Sequence, residues 1–204
     1  MKRNNNRGFT LIEIIAVIVI LGVVFTIAVP AVSSYILDSR KTNYFSTVNS
    51  YLETVRGNYE MRLYGDYIDD DEIMIVPISL VHLEKGALNS PFGDYDYDRS
   101  YVVITSNGYL NGYYANFLDS AGYGVLNAKS DELAKKSIDK VSNTDIADIS
   151  LFSTCKDNRY ELNSNIFFYN SKEYIPCDYR IVDTSSSLEC TSNGELPIIV
   201  MCEK

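Results

Sequence analysis

The chain has 204 residues and a net charge of −9, with 17 tyrosines and no tryptophan. Its length suits one soluble domain of ordinary size together with one additional segment. No basic stripe opposes the overall negative charge, so the chain repels phosphate groups and direct binding of nucleic acids is not expected.

The amino-terminal segment combines a short basic start with a long apolar run. Three cations lie within the first seven residues, and Glu13 is then the last charged residue before Asp38. The 24 residues from Ile14 to Leu37 would form a helix of about 36 Å, enough to cross a hydrocarbon core of about 30 Å. An ionised acid at the bilayer centre costs at least about 2.5 kcal/mol, so Glu13 is a candidate functional residue.

Such a segment is either a membrane helix that stays in the mature protein or a secretory signal peptide. The early cations favour a cytoplasmic amino end and a domain on the outer side. Against a signal peptide, the apolar run exceeds the usual length of about 7–15 residues and contains Glu13. An Ala-x-Ala cleavage signal is also missing, although Ala31-Val32-Ser33 approximates one. The residues therefore favour a single-pass membrane helix.

The residues that follow the basic start are Gly8, Phe9, Thr10, Leu11, Ile12 and Glu13. They resemble the amino terminus of type IV pilins and of the pseudopilins of type II secretion, strongly over about residues 1–65 and loosely beyond. The resemblance implies that residues 1–8 are a leader peptide. It implies that a membrane aspartyl peptidase cuts between Gly8 and Phe9 and methylates the new amine of Phe9. It also implies assembly roles for Glu13, Gly22 and Pro30.

Physical chemistry is consistent with these assembly roles. The amine of Phe9 would be a cation in an apolar place, and pairing it with Glu13 of a neighbouring subunit would set the stagger of a filament. Pro30 removes a backbone donor and Gly22 lowers helix propensity. The segment 22–30 is therefore expected either to kink, as proline-containing membrane helices often do, or to extend during assembly.

The long helix is expected from about Phe9 to Leu63. Residues 9–37 would form its transmembrane and filament-core part, residues 38–65 an amphipathic part, and residues 66–204 a globular head. The amphipathic part has apolar side chains at spacings of three and four, which predict packing against a sheet: Tyr44, Phe45, Val48, Tyr51, Leu52, Val55 and Tyr59. The expected class is α+β, a pilin fold with the helix lying across an antiparallel sheet.

Several shorter elements are expected in the head. A short helix starts near Ile78 and stops at Gly86, and a hairpin turns at Ser106-Asn107-Gly108. Ser130 would cap a second helix over about Asp131–Val141. The remaining expected strands are Tyr101–Thr105, Tyr109–Phe117, Arg159–Leu162, Asn165–Tyr169, Arg180–Val182, Leu188–Cys190 and Pro197–Cys202.

Cys155, Cys177, Cys190 and Cys202 all lie in the last 50 residues, and an even count outside the cytoplasm favours two disulfides. A tight turn at Asn193-Gly194 would leave Cys202 about 17 Å from the position facing Cys190. A turn at Asp183-Thr184 would instead place Cys177 opposite Cys190. The expected pairs are 177–190 and 155–202, while a more open loop with the 190–202 bridge suggested by the family, free thiols, or a zinc site remain as alternatives.

Other candidate sites are weaker. Asp94, Asp96 and Asp98 could suggest calcium, but the glycine and glutamate of a calcium loop are absent, and a solvated segment with Tyr95 and Tyr97 facing inward is favoured. The single histidine, His82, has no neighbouring nucleophile, and no phosphate-binding loop is present. We therefore expect no enzymatic activity, no cofactor and no metal.

The resemblance implies a structural subunit, and the length favours a minor pilin over a major one. The short segment 78–91 after the long helix also resembles that of many Gram-positive-type pilins. The expected partners of the chain are other pilin subunits, the membrane, a prepilin peptidase, a platform protein and an assembly ATPase. It would be stored in the cytoplasmic membrane and then displayed in a surface filament that serves adhesion, aggregation or motility. The alternatives are a pseudopilin of a secretion or DNA-uptake system, and a secreted or membrane-anchored binding module.

Overall fold

A computed structural model describes residues 9–81, 83, 89–108, 110–181, 190 and 196–204. This part of the chain begins with helix α1, Leu11–Glu60. The strands that follow are β1 Glu72–Pro77, β2 Tyr101–Thr105, β3 Gly112–Leu118, β4 Tyr123–Lys129, β5 Asp139–Lys140, β6 Ser153–Lys156, β7 Arg159–Leu162, β8 Phe167–Tyr169, β9 Lys172–Arg180 and β10 Ile198–Glu203. One long apolar helix followed by an antiparallel sheet confirms the expected α+β, pilin-like class.

The chain divides into two compact units between Arg40 and Lys41. In the first unit, every described residue is exposed except Ala28, which is half-buried. The second unit, Lys41–Lys204, contains the rest of α1 and all of the strands. The exposed and the packed parts of α1 therefore have different surroundings although the helix is continuous.

The packed part of α1 has the amphipathic pattern that the sequence predicts. Its buried residues recur at spacings of three and four: Tyr44, Thr47, Val48, Tyr51, Leu52, Val55 and Tyr59. The Tyr59 hydroxyl accepts a hydrogen bond from the Ile68 N–H at 3.0 Å, in a buried position. After Glu60 the chain turns through residues 61–64 to Gly65, whose φ of +88° suits the left-handed residue that ends many helices.

Eight strands form one antiparallel sheet in the order β5-β4-β3-β2-β1-β10-β9-β8, and β6 and β7 form a separate hairpin. The last strand of the chain, β10, therefore lies in the middle of the sheet. Met74 of β1 is opposite Ile104 of β2 on one side and Val200 of β10 on the other.

Both faces of the sheet are buried. One face packs with α1 in a core that includes Met74, Val102 and Val200. The opposite face is covered by the segment before β6, in a second core that also includes side chains of the edge strand β8. Its buried members include Ile73, Ile75, Val103, Ile146, Ile149, Phe152, Phe167, Tyr169, Ile199 and Met201. The head thus has three layers, which explains why β1 and β10 are continuous apolar runs rather than alternating ones.

The expected helix over 131–141 is wrong. The chain there forms a short 3₁₀ turn, Lys135–Ser137, and then the edge strand β5. Leu133 and Ile138 are both buried, with Ile138 0% exposed. Two apolar residues five positions apart lie on different faces of an α-helix, and the more extended chain brings both into the core.

Other predicted elements differ in their bounds. The 101–117 hairpin is present, but Thr105 is opposite Gly112, so its loop has six residues, 106–111. The helix expected from Ile78 is a 3₁₀ turn over Ile78–Leu80, and its predicted stop at Gly86 lies outside the described residues. β7 has the predicted bounds, whereas β9 begins eight residues before the predicted Arg180. The expected strand at 188–190 lies almost wholly outside the described residues.

Candidate functional site

The start of α1 is a capping box formed by Thr10 and Glu13. The Thr10 N–H and the Thr10 hydroxyl both donate to Glu13 Oε2, at 2.7 and 2.9 Å, and the Glu13 N–H donates to Thr10 Oγ1 at 3.4 Å. This reciprocal arrangement satisfies backbone donors that a helix start leaves unpaired. This cap is not among the sequence-based expectations, although the Thr-x-x-Glu spacing before an apolar run is its known signature.

The cap places the Glu13 carboxylate at the positive end of the helix dipole. Its oxygen is bonded to the backbone nitrogen of Thr10, which is the residue next to Phe9. Phe9 itself is 84% exposed, and Gly8 lies outside the described residues. The structure therefore brings together Phe9, Thr10 and Glu13 at one helix end.

Helix α1 runs unbroken through both Gly22 and Pro30. A Cβ at Gly22 would have no atom within 4 Å, so this position has open space around it. Near Pro30, hydroxyls donate to backbone carbonyls: Thr26 to Val23 at 2.7 Å and Ser33 to Val29 at 2.9 Å. Extension of the segment 22–30 during assembly stays a prediction.

The first unit of the chain presents apolar side chains to its surroundings. Ile12, Ile20 and Phe25, for example, are 74%, 62% and 59% exposed. Within the described residues, α1 is the one helix long and apolar enough to cross a membrane by length and composition. Its most apolar 18-residue window has none of its residues buried.

Residues 3–29 match a family model described as the prokaryotic N-terminal methylation motif. This match identifies, at the amino terminus of the chain, the leader motif of type IV pilin and pseudopilin precursors. The long apolar helix and the sheet behind it agree with this assignment. Comparison with curated proteins and with solved structures gives no match. The assignment therefore rests on the amino-terminal prepilin motif and the fold, and the pilin family is one of structural rather than enzymatic proteins.

The four cysteines form the disulfides Cys155–Cys190 and Cys177–Cys202, with Cα–Cα distances of 5.8 Å in each. The expected existence of two disulfides is confirmed, and the expected pairs 177–190 and 155–202 are wrong. The 190–202 bridge and the free-thiol alternative are likewise not what the structure has.

The pairing error came from the assumed course of the chain after Cys177. Cys177 lies within β9, which pairs directly with β10, and Cys202 is opposite Ile175 there. The register shifts between Val200 and Met201, a β-bulge that leaves Cys177 as the extra residue. Cys190 instead lies beside the β6–β7 turn, where its N–H donates to the Asn158 carbonyl at 3.3 Å. The two turns that our prediction assumed, at 183–184 and 193–194, lie outside the described residues.

The zinc site that the sequence leaves as an alternative would lie at the Cys177–Cys202 disulfide. Among the described residues, ligand atoms of Glu72, Cys177 and Cys202 lie within 4.8 Å of one another. The two sulfurs are bonded to each other, however, so neither is a thiolate able to bind a metal.

Within the string Asp94, Asp96 and Asp98, the Asp96 carboxylate is paired with Arg99. The Arg99 guanidinium donates to Asp96 at 3.1 Å and to Asp148 at 2.8 Å, and the Asp98 N–H also donates to Asp96. Burial, followed by the charges of Asp148 and Asp96, raises the pKa of Asp98. A guanidinium bonded to both Asp96 and Asp148 competes with any cation for these carboxylates and so disfavours calcium. Tyr95 is buried as expected, whereas Tyr97 is 49% exposed and the expectation for it is wrong. His82 lies outside the described residues.

Proposed function

We propose that this chain is a minor type IV pilin that is cleaved between Gly8 and Phe9, methylated at the Phe9 amine and polymerised into a surface filament for adhesion, aggregation or motility. The observation that supports it most is the exposed apolar part of α1 behind a prepilin motif. Each such aliphatic or aromatic side chain, when fully buried, stabilises an assembly by about 1.5–3 kcal/mol. Membrane lipid would cover this surface before assembly, and neighbouring helices would cover it afterwards.

Glu13 and Phe9 would set the stagger of the subunits. Cleavage converts the Phe9 nitrogen from a peptide N–H to an amine, one residue from the nitrogen that already donates to Glu13. In an apolar bundle an unpaired charge is costly, so the amine of one subunit and the carboxylate of the next stabilise one axial position over others. Gly22 and Pro30 would allow the helix between them to adjust as it leaves the membrane.

The proposed partners follow from the proposed cleavage, membrane storage and polymerisation of the chain. A prepilin peptidase would process the chain, a platform protein and a cytoplasmic ATPase would drive its extraction, and other pilin subunits would bind α1. The head would lie outside the cell, where its two disulfides are stable. Removal of residues 1–8 also takes away three cations and lowers the net charge from −9 to −12.

The test is the amino terminus of the protein recovered from cells of its own host. We expect mass spectrometry to find a mature chain that starts at methylated Phe9, and immunogold labelling to find it in surface filaments. A start near Ser33 would identify a signal peptide and contradict the proposal, as would a fully active chain with its leader uncut. Correct processing without surface filaments would favour a pseudopilin.

A further inference from the structure

A groove on the head has the chemistry of a binding site that the assembly role does not use. Its walls come from the carboxyl end of α1, from the β2–β3 loop and from the end of β4. We define this hairpin groove by six residues that line it: Arg56, Glu60, Asn107, Tyr114, Lys129 and Ser130. All of them belong to the second unit of the chain.

The charges in the hairpin groove neutralise one another locally. Arg56 pairs with Glu60 at 2.9 Å along the same helix, and Lys129 pairs with Asp131 at 2.9 Å. The bond to Glu60 raises the pKa of Arg56, and the bond to Asp131 raises the pKa of Lys129. Each of these walls therefore carries one paired cation and one paired anion, so neither wall favours an anionic or a cationic ligand.

Uncharged polar groups in the groove remain available for a ligand. The side chains of Asn107 and Ser130 make no hydrogen bond to any other described residue. An asparagine amide both donates and accepts, and a hydroxyl does the same, so together they match the adjacent hydroxyls of a sugar. By contrast, a ligand that only accepts or only donates hydrogen bonds would use half of the hydrogen-bonding capacity of Asn107 and Ser130.

The groove also offers an apolar surface beside these polar groups. Tyr114 is half-buried, and its ring is held edge-on to Tyr169 with centroids 5.9 Å apart. Leu110 at the rim is 77% exposed. Sites for ligands with one apolar face and one polar edge usually combine a fixed aromatic ring with side chains that can both donate and accept hydrogen bonds.

We propose that the hairpin groove binds an uncharged saccharide. A sugar ring has an apolar C–H face for Tyr114 and hydroxyls for Asn107 and Ser130, and it needs no counter-charge. The overall negative charge of the chain disfavours sulfated and sialylated sugars. This inference rests on the proposed function, since an adhesive filament is what would bring the groove to a glycosylated surface.

The test is binding of the full-length mature protein to an array of neutral oligosaccharides, with sulfated and sialylated oligosaccharides as comparators. The protein should be kept in a polyoxyethylene detergent, because a maltoside head group is itself a saccharide. We expect neutral oligosaccharides to bind, and Asn107→Ala and Ser130→Ala each to weaken binding by about 3- to 10-fold.

Matched controls are Asn143→Ala and Ser164→Ala, which change exposed polar residues away from the groove and should bind like the wild type. Absence of neutral-sugar binding, preference for charged sugars, or equal binding by groove and control variants would each overturn the inference. Filament incorporation of the same variants separates the two proposals. A chain that enters filaments but binds no sugar contradicts only the groove, whereas a chain that never enters filaments contradicts the proposed function.

Discussion

At the scale of single residues, Glu13 has two competing partners. In the structure its carboxylate caps its own helix through Thr10. In a filament it would pair with the Phe9 amine of another subunit. Both interactions use the same negative charge at the same helix end, so loss of filament assembly in an alanine variant would not distinguish a lost cap from a lost ion pair. A glutamine at this position separates them, because glutamine can cap a helix start but has no charge.

We expect Glu13→Gln and Glu13→Ala to be processed normally and to be severely impaired in filament incorporation, measured as the fraction of chain in sheared filaments. Thr10→Ser retains the hydroxyl of the cap and serves as the control, with near-normal incorporation. If Glu13→Gln incorporates like the wild type, the cap is sufficient and the charge pair does not set the stagger.

Tyr59 shows how a single hydroxyl can stabilise the packing of α1 in the head. Its oxygen is the acceptor for the buried Ile68 N–H. We expect Tyr59→Phe to lower the free energy of unfolding by about 1–3 kcal/mol, because that N–H would lose its partner. Tyr97→Phe changes a half-exposed tyrosine and should alter the unfolding free energy by less than about 0.5 kcal/mol. Denaturant titration of both variants checks this, and equal stabilities would show that water replaces the lost acceptor.

At the scale of elements, local sequence patterns predicted some of the secondary structure of the head. They did not predict the elements that depend on contacts between residues distant in the sequence. The buried side chains of α1 were predictable because their spacing of three and four repeats over 16 residues, from Tyr44 to Tyr59. β1 was missed because Ile73, Met74, Ile75 and Val76 are all buried, so the strand has no alternation to recognise. Such a run is ambiguous until the sheet is known to be covered on both faces.

The amino-terminal motif has a clear local sequence signal, whereas the pairing of the cysteines has none. Glu13 and the Gly8–Phe9 junction stand out because a charge in an apolar run is costly and the surrounding motif is specific. The cysteine pairs depend on the β-bulge in β9 and on the approach of Cys190 to the β6–β7 turn. Neither feature has a local sequence signal, so the four cysteines alone left the pairing open.

The two disulfides should be separable in experiment. Each closes a loop, with sequence separations of 35 and 25 residues, which chain-entropy estimates equate with about 3–4 kcal/mol of stabilisation each. We expect Cys177→Ser with Cys202→Ser to lower the free energy of unfolding by about that amount, while leaving the 155–190 bridge intact. Peptide mapping without reduction would verify the remaining bridge, and a 155–202 or 177–190 peptide in the wild type would contradict the structure.

At the scale of the whole molecule, one chain joins two units with opposite solvent requirements. Residues 11–40 form the part of α1 that has no fully buried side chain, whereas the second unit has apolar cores on both faces of its sheet. The buried side chains of α1 begin at Tyr44, within the second unit. The stability of the head should therefore not depend on the apolar segment.

We accordingly expect a fragment of residues 41–204 to be soluble without detergent, monomeric, and folded with both disulfides. Its thermal midpoint should lie within a few degrees of that of the full chain in detergent, because the fragment retains every buried residue of α1. The matched control begins at residue 52 and so lacks Tyr44, Val48 and Tyr51, each at most 3% exposed. Loss of these large core side chains should cost several kcal/mol, enough to unfold a typical domain. Circular dichroism and size-exclusion chromatography distinguish the outcomes: aggregation of the 41–204 fragment would show that the head needs the apolar helix, and a stable 52–204 fragment would show that the tyrosine stripe contributes little to the core.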